Sequence, residues 1–174
     1  LIVDGPGSHC SARDLVVDGI VTITGGGSVG CTYSNVGGVA PGSVSITNAG
    51  EFVAAEFDIG SSNGPAGSVS VEGAGSAVTV RNTQPGIFDI TSILRVLRGT
   101  LEIESGGRVD VGQATLPGLQ TNNGVVIFSA ASVTVDGADS ELNVNINGDA
   151  SEVDVSGSLV IRNGGKVEDT EGRI

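Results

Sequence analysis

Three acidic side chains at one glycine-containing corner are the residues of this chain best suited to chemistry. Asp136, Asp139 and Glu141 lie within one six-residue stretch. Calcium accepts about six to eight oxygen ligands in irregular cages, and carboxylates supply such oxygens. The stretch has neither the EF-hand spacing nor the glycine-rich nonapeptide of calcium-binding solenoids. The three carboxylates alone make this corner a candidate calcium site, and the sequence indicates no other cofactor.

Paired carboxylates are a second feature, because glycoside hydrolysis needs one protonated and one ionised carboxyl group beside the bond that breaks. The pairs in this chain are Glu102 with Glu104, Asp136 with Asp139, and Glu152 with Asp154. Glu102 and Glu104 alternate with inward apolar residues, so we expect them on a solvated outer face. The chain also lacks the Gly-His-Gly and Arg-x-Lys stretches that pectin-hydrolysing proteins share. The sequence therefore predicts no catalytic residue and no enzyme.

The basic and imidazole groups indicate no site either. His9 is the only histidine, and no Cys-x-x-Cys pair accompanies it, so a zinc-type or thiol-activating site is not expected. Arg95 and Arg98 form the one basic pair. We expect their aliphatic stems to lie over a coil of the fold with the charges in water.

The two cysteines, Cys10 and Cys31, allow one intramolecular pairing. A disulfide between them would close a loop of about 20 residues, which is worth about 3 kcal/mol. It would pin the N-terminal segment to the first repeat and would imply an oxidising compartment. The alternative interpretation is two buried free thiols.

The elements that must position these residues are copies of one phrase. The copies are GIVTITGGGSVGC from Gly19, GSVSITNAGEFVA from Gly42, GSVSVEGAGSAVTV from Gly67, GTLEIESGGRVDV from Gly99, ASVTVDGADSELNV from Ala131 and GSLVIRNGGKVED from Gly157. Each has apolar residues two apart, then a Gly-rich corner, then apolar residues two apart again. That spacing places side chains on one face of a strand, and small corner residues let the chain bend.

These repeats predict an all-β fold, a parallel β-solenoid (β-helix) of about six coils. Stacked repeats pile like positions into ladders of Val and Ile along one axis. The four Phe, one Tyr and no Trp suit a narrow bore filled by aliphatic residues. An antiparallel sandwich is the alternative, since it also has short alternating strands. Ile93 to Leu97 is the one segment that could form a helical turn.

A third strand of each coil should lie between the copies. The candidates are Phe57–Ile59, Phe88–Ile90, Val125–Phe128 and Val153–Val155. Two longer loops, near Arg81–Gly86 and Ala114–Gly124, lie where solenoids usually carry function. The third and fifth copies have one extra corner residue, which we expect the corner to absorb.

The chain divides into an N-terminal cap or lead-in, residues 1–14, and the repeats, residues 15–174. The last copy stops at Arg173–Ile174 with no capping segment, so we expect the repeats to be truncated at the C-terminus. The chain also has no Met. We infer a fragment of a longer protein, or else a mature protein whose signal peptide was removed.

The net charge of −12 argues against two classes of partner. Such a surface repels nucleic acid phosphates and anionic lipid. No apolar run reaches the roughly 18 residues of a membrane helix, so no membrane insertion is expected. The acidic residues fit a solvated outer face, or cation binding on acidic ladders.

The quoted phrases resemble the Gly/Ser/Thr/Val-rich repeats of autotransporter-type passenger domains and related bacterial surface proteins. The closest are GSVSVEGAGSAVTV and ASVTVDGADSELNV, and the likeness covers about residues 15–168. It implies a right-handed parallel β-helix, export to the cell surface or beyond, and a role in adhesion, self-association or display. The repeats of that family are scaffold, so the resemblance implies no catalytic residue.

Together these observations predict a non-enzymatic, structural or adhesive β-solenoid, a stalk, filament or adhesin segment that is extracellular or on the bacterial surface. The expected partners are other copies of the chain, a host surface or a glycan. The alternative is a polysaccharide-active or glycan-binding β-helix with its site on the long loops. An enzyme should gather several polar groups in a concave groove, whereas a scaffold should show uniform Ser, Thr and Asp ladders.

Overall fold

The computed structural model describes residues 1–81, 92–112, 123–144 and 151–169, which form short β-strands. The strands are β1 (Ile2–Asp4), β2 (His9–Ser11), β3 (Asp14–Val17), β4 (Ile20–Thr24), β5 (Ser28–Gly30), β6 (Tyr33–Val36), β7 (Gly42–Thr47), β8 (Glu51–Ala54), β9 (Glu56–Ile59), β10 (Gly67–Glu72), β11 (Ala77–Val80), β12 (Ser92–Val96), β13 (Gly99–Glu104), β14 (Arg108–Val111), β15 (Asn123–Ile127), β16 (Ala131–Asp136), β17 (Glu141–Val144), β18 (Ser151–Val155), β19 (Ser158–Arg162) and β20 (Lys166–Asp169). No helix with the length and apolarity to span a bilayer occurs in these described residues.

The strands form three parallel sheets. The first has the order β1-β4-β7-β10-β13-β16-β19, the second β2-β5-β8-β11-β14-β17-β20, and the third β3-β6-β9-β12-β15-β18. Each strand pairs with the strand three places further along the chain, and the pairing is parallel throughout. The described strands therefore make six complete coils and two strands of a seventh. The predicted parallel β-solenoid of about six coils is confirmed, and the antiparallel sandwich is excluded.

Aliphatic side chains fill the bore in continuous rows. One row of the first sheet consists of Val21, Val44, Val69, Leu101 and Val133, and the next of Ile23, Ile46, Val71, Ile103 and Val135. All of these side chains are buried. Because alternate residues of each strand point inward, the two-residue spacing of the repeat becomes the core of the molecule.

Aromatic side chains meet where the second sheet turns into the third. The rings of Phe52 and Phe57 stack with centroids 4.8 Å apart and planes 10° from parallel. Both are fully buried. Their stacking fills the bore at a coil whose connection between these two sheets is the single residue Ala55.

The corner between the first and second sheets absorbs the extra residue of the third and fifth copies, as predicted. Strand β11 stays in register with β8, and Val78 lies opposite Phe52. At the corner of each longer copy a buried serine replaces glycine as the residue before the second strand. Ser140 Oγ accepts a hydrogen bond from Gly106 N at 3.0 Å and donates one to Asp136 O at 2.6 Å. The hydroxyl thereby satisfies backbone groups of two adjacent corners.

Glycine is required where the chain turns from the third sheet back into the first. A Cβ on Gly67 would lie 2.0 Å from the carbonyl oxygen of Val36, the last residue of strand β6. No side chain fits at that distance, so the absence of a Cβ permits this close approach of two backbones.

Several other sequence predictions can now be placed. Residues 1–14, predicted as a cap or lead-in, contribute β1, β2 and the first residue of β3, so this segment is built into the first coil. Phe57–Ile59 lies in β9 and Val153–Val155 in β18, while Val125–Phe128 overlaps β15. Ile93 to Val96 belongs to strand β12, so no helical turn forms there, because the segment pairs with strands on both sides. Phe88–Ile90, most of the two long loops and Arg173–Ile174 lie outside the described residues.

Candidate functional site

The outer surface of the first sheet carries rows of hydroxyl groups. One row holds Ser43, Ser68, Thr100, Ser132 and Ser158, and the next holds Thr22, Ser45, Ser70 and Thr134. We call the surface formed by these residues the hydroxyl face. Glu102 stands in the second row between Ser70 and Thr134. Parallel pairing repeats each row about every 4.8 Å along the axis.

A shallow groove of about 390 Å³ runs along one edge of the hydroxyl face. Ile20, Pro41 and Ala66 give it apolar walls, and Ser43 and Ser68 contribute hydroxyls. No charged or imidazole group lines it. A hydroxyl without a base to activate it is a poor nucleophile, so the lining of this groove supplies no activated nucleophile.

The strongest convergence of polar groups is on the outer face of the third sheet, in a set of side chains that we call the Arg95 cluster. Its members are Tyr33, Asn35, Glu56, Asp58 and Arg95. Arg95 Nε lies 2.6 Å from Asp58 Oδ1, and Arg95 Nη2 lies 3.0 Å from Glu56 Oε2. The Tyr33 hydroxyl donates to Asp58 Oδ2 at 3.1 Å and accepts from Asn35 Nδ2 at 3.3 Å.

Strand register brings the Arg95 cluster together from distant parts of the sequence. Asn35, Asp58 and Arg95 are directly opposite one another on β6, β9 and β12, and Tyr33 is opposite Glu56. Residues two apart on a strand share a face, so all five side chains point outward on the same side. The Arg95 cluster therefore forms only when β6, β9 and β12 of three adjacent coils are stacked in register.

Electrostatics inside the Arg95 cluster favour a closed ion pair. The Asp58 side chain is 8% exposed, whereas Arg95 is 30% exposed. Hydrogen bonding to Asp58 raises the pKa of Arg95 above its ordinary value, so the guanidinium stays charged. Burial is the main cause of the raised pKa of Tyr33, so its hydroxyl stays protonated and remains a donor.

The contacts of Arg95 limit what the cluster can do chemically. The guanidinium binds both carboxylates, and a carboxylate held by a permanent cation is a weak general base. Asn35 Oδ1 is buried without a hydrogen-bond partner. The arrangement fits a structural or ligand-contacting role better than proton transfer.

The second sheet carries a ladder of alternating charge. Arg108 Nε contacts Asp110 Oδ1 at 2.8 Å, and Arg108 Nη1 lies 3.4 Å from Glu141 Oε2. Lys166 continues the ladder, with its Nζ 3.8 Å from Glu141 Oε1 and in contact with Glu168. Hydrogen bonding to Asp110 raises the pKa of Arg108, and hydrogen bonding to Glu168 raises the pKa of Lys166. Glu141 thus pairs with cations of the coils on both sides, Arg108 and Lys166.

The proposed calcium ligands are distributed among other partners. Asp136 accepts hydrogen bonds from Asn163 at 2.7 Å and Arg162 at 2.8 Å, and these contacts hold its pKa below the ordinary value. Glu141 contacts the ladder cations, and Asp139 and Glu141 both line a polar depression of about 350 Å³ that Lys166 also lines. In the described part of the chain, no group of three or more His, Cys, Asp or Glu residues could hold a metal ion. Calcium binding at this corner stays a prediction.

The two cysteines are free thiols in the structure. Cys10 lies opposite Val29 in β5, and Cys31 follows Val29 by two residues, so the two side chains are diagonal neighbours at the N-terminal end of the bore. Burial raises the pKa of Cys31 to about 11. The Cys10–Cys31 disulfide stays a prediction, which an intact-mass measurement with and without reductant would decide.

The other residues considered in the sequence lie on outer faces. His9 is exposed, with Nδ1 2.8 Å from Ser28 Oγ, and Arg98 Nη1 donates to Gly64 O at 3.1 Å. Leu101 and Ile103 are buried, which places Glu102 and Glu104 outward as predicted. Glu152 and Asp154 are exposed on β18.

Sequence reasoning missed the Arg95 cluster. The sequence predicts a third strand that contains Asp58, but it predicts a possible helical turn around Arg95, so it does not pair the two residues. The pattern that could have indicated a strand is the two-residue spacing of Leu94 and Val96, with the charged Arg95 between them.

No family model, curated protein or solved structure matches this chain.

Proposed function

We propose that this chain is a non-enzymatic extracellular β-solenoid scaffold, a stalk or adhesive segment at a bacterial cell surface. The observation that carries this proposal is the continuity of the stack, whose inner rows keep one register across the described strands of the first sheet. The first sheet also carries two outward rows made largely of hydroxyl residues, and the charges on β14, β17 and β20 of the second sheet are paired. Such continuous rows are typical of a scaffold, because each coil packs on the next through equivalent residues.

Three further features support a scaffold. The inner rows are mainly aliphatic, and most of their side chains are buried along the described coils. The carboxylates of the Arg95 cluster are bound by a guanidinium, which leaves them poorly suited to general-base chemistry. The acidic net charge of −12 keeps such a surface soluble and disfavours nucleic acid and anionic lipid. Export to the cell surface is part of the proposal and follows from the resemblance of the repeats.

The scaffold proposal is tested by incubating the purified chain with a panel of neutral and acidic polysaccharides. Product formation is followed as new reducing ends and unsaturated sugars, and single-molecule pulling along the axis measures mechanical resistance. We expect no product and a coil-by-coil unfolding pattern. Product release by the wild-type chain that Arg95→Gln or Asp58→Asn abolishes would overturn the scaffold proposal.

Glycan binding without catalysis is a second candidate, favoured by the Arg95 cluster. Tyr33, Glu56 and Arg95 are all partly exposed, and side chains of these types form hydrogen bonds with sugar hydroxyls. A glycan array with the wild-type chain, Tyr33→Phe and Arg108→Gln as a surface control tests it. Binding that Tyr33→Phe weakens and Arg108→Gln leaves unchanged would favour this function, and an empty array would argue against it.

A further inference from the structure

Two asparagines whose side chains are described, Asn63 and Asn163, are exposed and are followed by glycine. Asparagine before glycine is the dipeptide best suited to deamidation, because a glycine nitrogen can approach the side-chain amide with no Cβ in the way. The other asparagines with described side chains precede alanine or valine, namely Asn35, Asn48 and Asn143. The two Asn-Gly pairs are chemically alike in sequence, so the structure decides which of them reacts.

Asn163 is held in place at the corner between β19 and β20. Its Nδ2 donates to Asp136 Oδ1 at 2.7 Å. Its backbone is in the left-handed region with φ of 52°, and Gly164 has φ of 89°. A hydrogen bond to a charged acceptor must therefore break before the Asn163 side chain can turn toward the glycine nitrogen.

Asn63 lies on the loop between β9 and β10, residues 60–66. Its side chain is exposed and forms no hydrogen bond within the described part of the chain. Its φ lies outside the left-handed region. Gly64 N donates to Ser61 O at 3.2 Å, which is at the long end of the range for such bonds. Rotation of the Asn63 side chain and opening of this one bond are enough to bring Gly64 N against Asn63 Cγ.

The reaction uses only atoms of Asn63 and Gly64 together with water. Gly64 N gives its proton to the solvent and attacks Asn63 Cγ, so a C–N bond forms while the Cγ–Nδ2 bond breaks and ammonia leaves. Water then opens the succinimide at Cγ to give aspartate, or at the main-chain carbonyl of residue 63 to give isoaspartate. One water is consumed and one ammonia is released, and no oxidant or reductant takes part.

We propose that Asn63 is a site of spontaneous deamidation and isoaspartate formation, whereas the contact with Asp136 protects Asn163. We expect Asn63 to react at least about tenfold faster in the folded protein. That ratio corresponds to about 1.4 kcal/mol, which is within the cost of breaking a hydrogen bond to a charged group. The modification needs no enzyme and no cofactor, so this site is independent of the scaffold function.

The modification changes a loop that other contacts hold in shape. It places a carboxylate next to Gly64, whose carbonyl oxygen accepts from Arg98 Nη1 at 3.1 Å. Isoaspartate also adds one carbon to the main chain between Ser61 and Pro65, where Ser61 N donates to Pro65 O at 3.1 Å. The same loop carries Ala66, which lines the groove beside the hydroxyl face. Deamidation therefore alters the border of that groove.

Timed incubation of the folded chain at mildly alkaline pH tests the proposal. Cleavage after glutamate yields the peptides 57–72 and 153–168, each of which contains a single asparagine. Mass spectrometry measures the deamidated fraction of each peptide, and reversed-phase chromatography separates isoaspartate from aspartate. We expect peptide 57–72 to be modified at least about tenfold faster than peptide 153–168. The same incubation in urea should bring the two rates close together, because unfolding removes the Asp136 contact.

Two variants sharpen the comparison, and circular dichroism and thermal melting confirm that each is folded. Asp136→Ala removes the acceptor and should raise the rate at Asn163 while leaving the rate at Asn63 unchanged. Asn63→Gln is the matched control, since its longer side chain would have to close a larger ring, and it should abolish the fast modification of peptide 57–72. Equal rates at the two sites in the folded wild type would overturn the proposal, as would a ratio that is the same in folded and unfolded protein. An unchanged rate at Asn163 in Asp136→Ala would refute the protection by Asp136.

Discussion

Arg95 and Asp58 form an ion pair between adjacent coils, with Nε 2.6 Å from Oδ1, although 37 residues separate them in the chain. Strand register alone brings them together, because Arg95 on β12 is directly opposite Asp58 on β9. The carboxylate is almost completely buried on an outer face of the sheet. A buried carboxylate must be paired, so this contact is a requirement of the fold as well as a feature of its surface.

Replacement of Arg95 by Met should destabilise the protein strongly. It leaves the Asp58 carboxylate buried without its cation, and breaking such a pair from one side costs about 2–3 kcal/mol when one partner retains some solvent contact. Urea unfolding at neutral pH measures the free energy of unfolding. Arg108→Met is the control, because its pair is more exposed and should cost less than about 1 kcal/mol. Equal losses for the two variants would contradict this account.

Replacement of Ser140 by Ala should lower the free energy of unfolding by about 1–3 kcal/mol. The variant removes both hydrogen bonds of a fully buried hydroxyl, to Gly106 N and Asp136 O. Thermal and urea unfolding report the loss. Ser132→Ala on the hydroxyl face is the matched control and should stay within about 0.5 kcal/mol of the wild type. A neutral Ser140→Ala would show that water replaces the hydroxyl at the corner.

Replacement of Gly67 by Ala should be among the most damaging single changes in the chain. Its new Cβ would lie 2.0 Å from Val36 O, and backbone cannot move away without shifting a coil. We expect a loss of about 3 kcal/mol or more, or failure to fold, by circular dichroism and thermal melting. Gly19→Ala is the control, since nothing lies within 4 Å of its added Cβ. A Gly67→Ala variant as stable as Gly19→Ala would refute the tight corner.

Stability should fall on the alkaline side because of Cys31. Its pKa is raised from 9.0 to about 11, mainly by burial, so folding favours the neutral thiol. A raised pKa gives stability that is complete below the unfolded value and is lost as pH rises from about 9 to about 11. In reduced protein, this loss should be at most about 2 kcal/mol after allowance for partial exposure.

The Cys31 prediction is checked by urea unfolding of wild type and Cys31→Ala at pH 8 and at pH 11. Alanine fits the position, because Ala54 occupies the same row one coil further on. The wild type should lose more stability than the variant between the two pH values. Equal losses would show that the thiol does not titrate abnormally.

The amino-acid sequence alone determined the architecture of this protein. The repeated two-residue spacing around Gly-rich corners predicted stacked strands, and it identified the inward rows that include Val21, Val44 and Val69. It also indicated that the corner absorbs the extra residue of two copies. These features are local, because strand periodicity and turn chemistry depend on residues a few positions apart.

The tertiary structure decided which coil residues meet across the third sheet. The third strands have no common phrase, so the sequence left the register of β12 against β9 undetermined and with it the contact of Arg95 with Asp58. It also showed that residues 1–14 contribute two strands of the first coil and that Arg162 and Asn163 bind Asp136 at the acidic corner. Such pairings depend on register between distant segments, and a shift of one residue would turn each of these side chains to the opposite face.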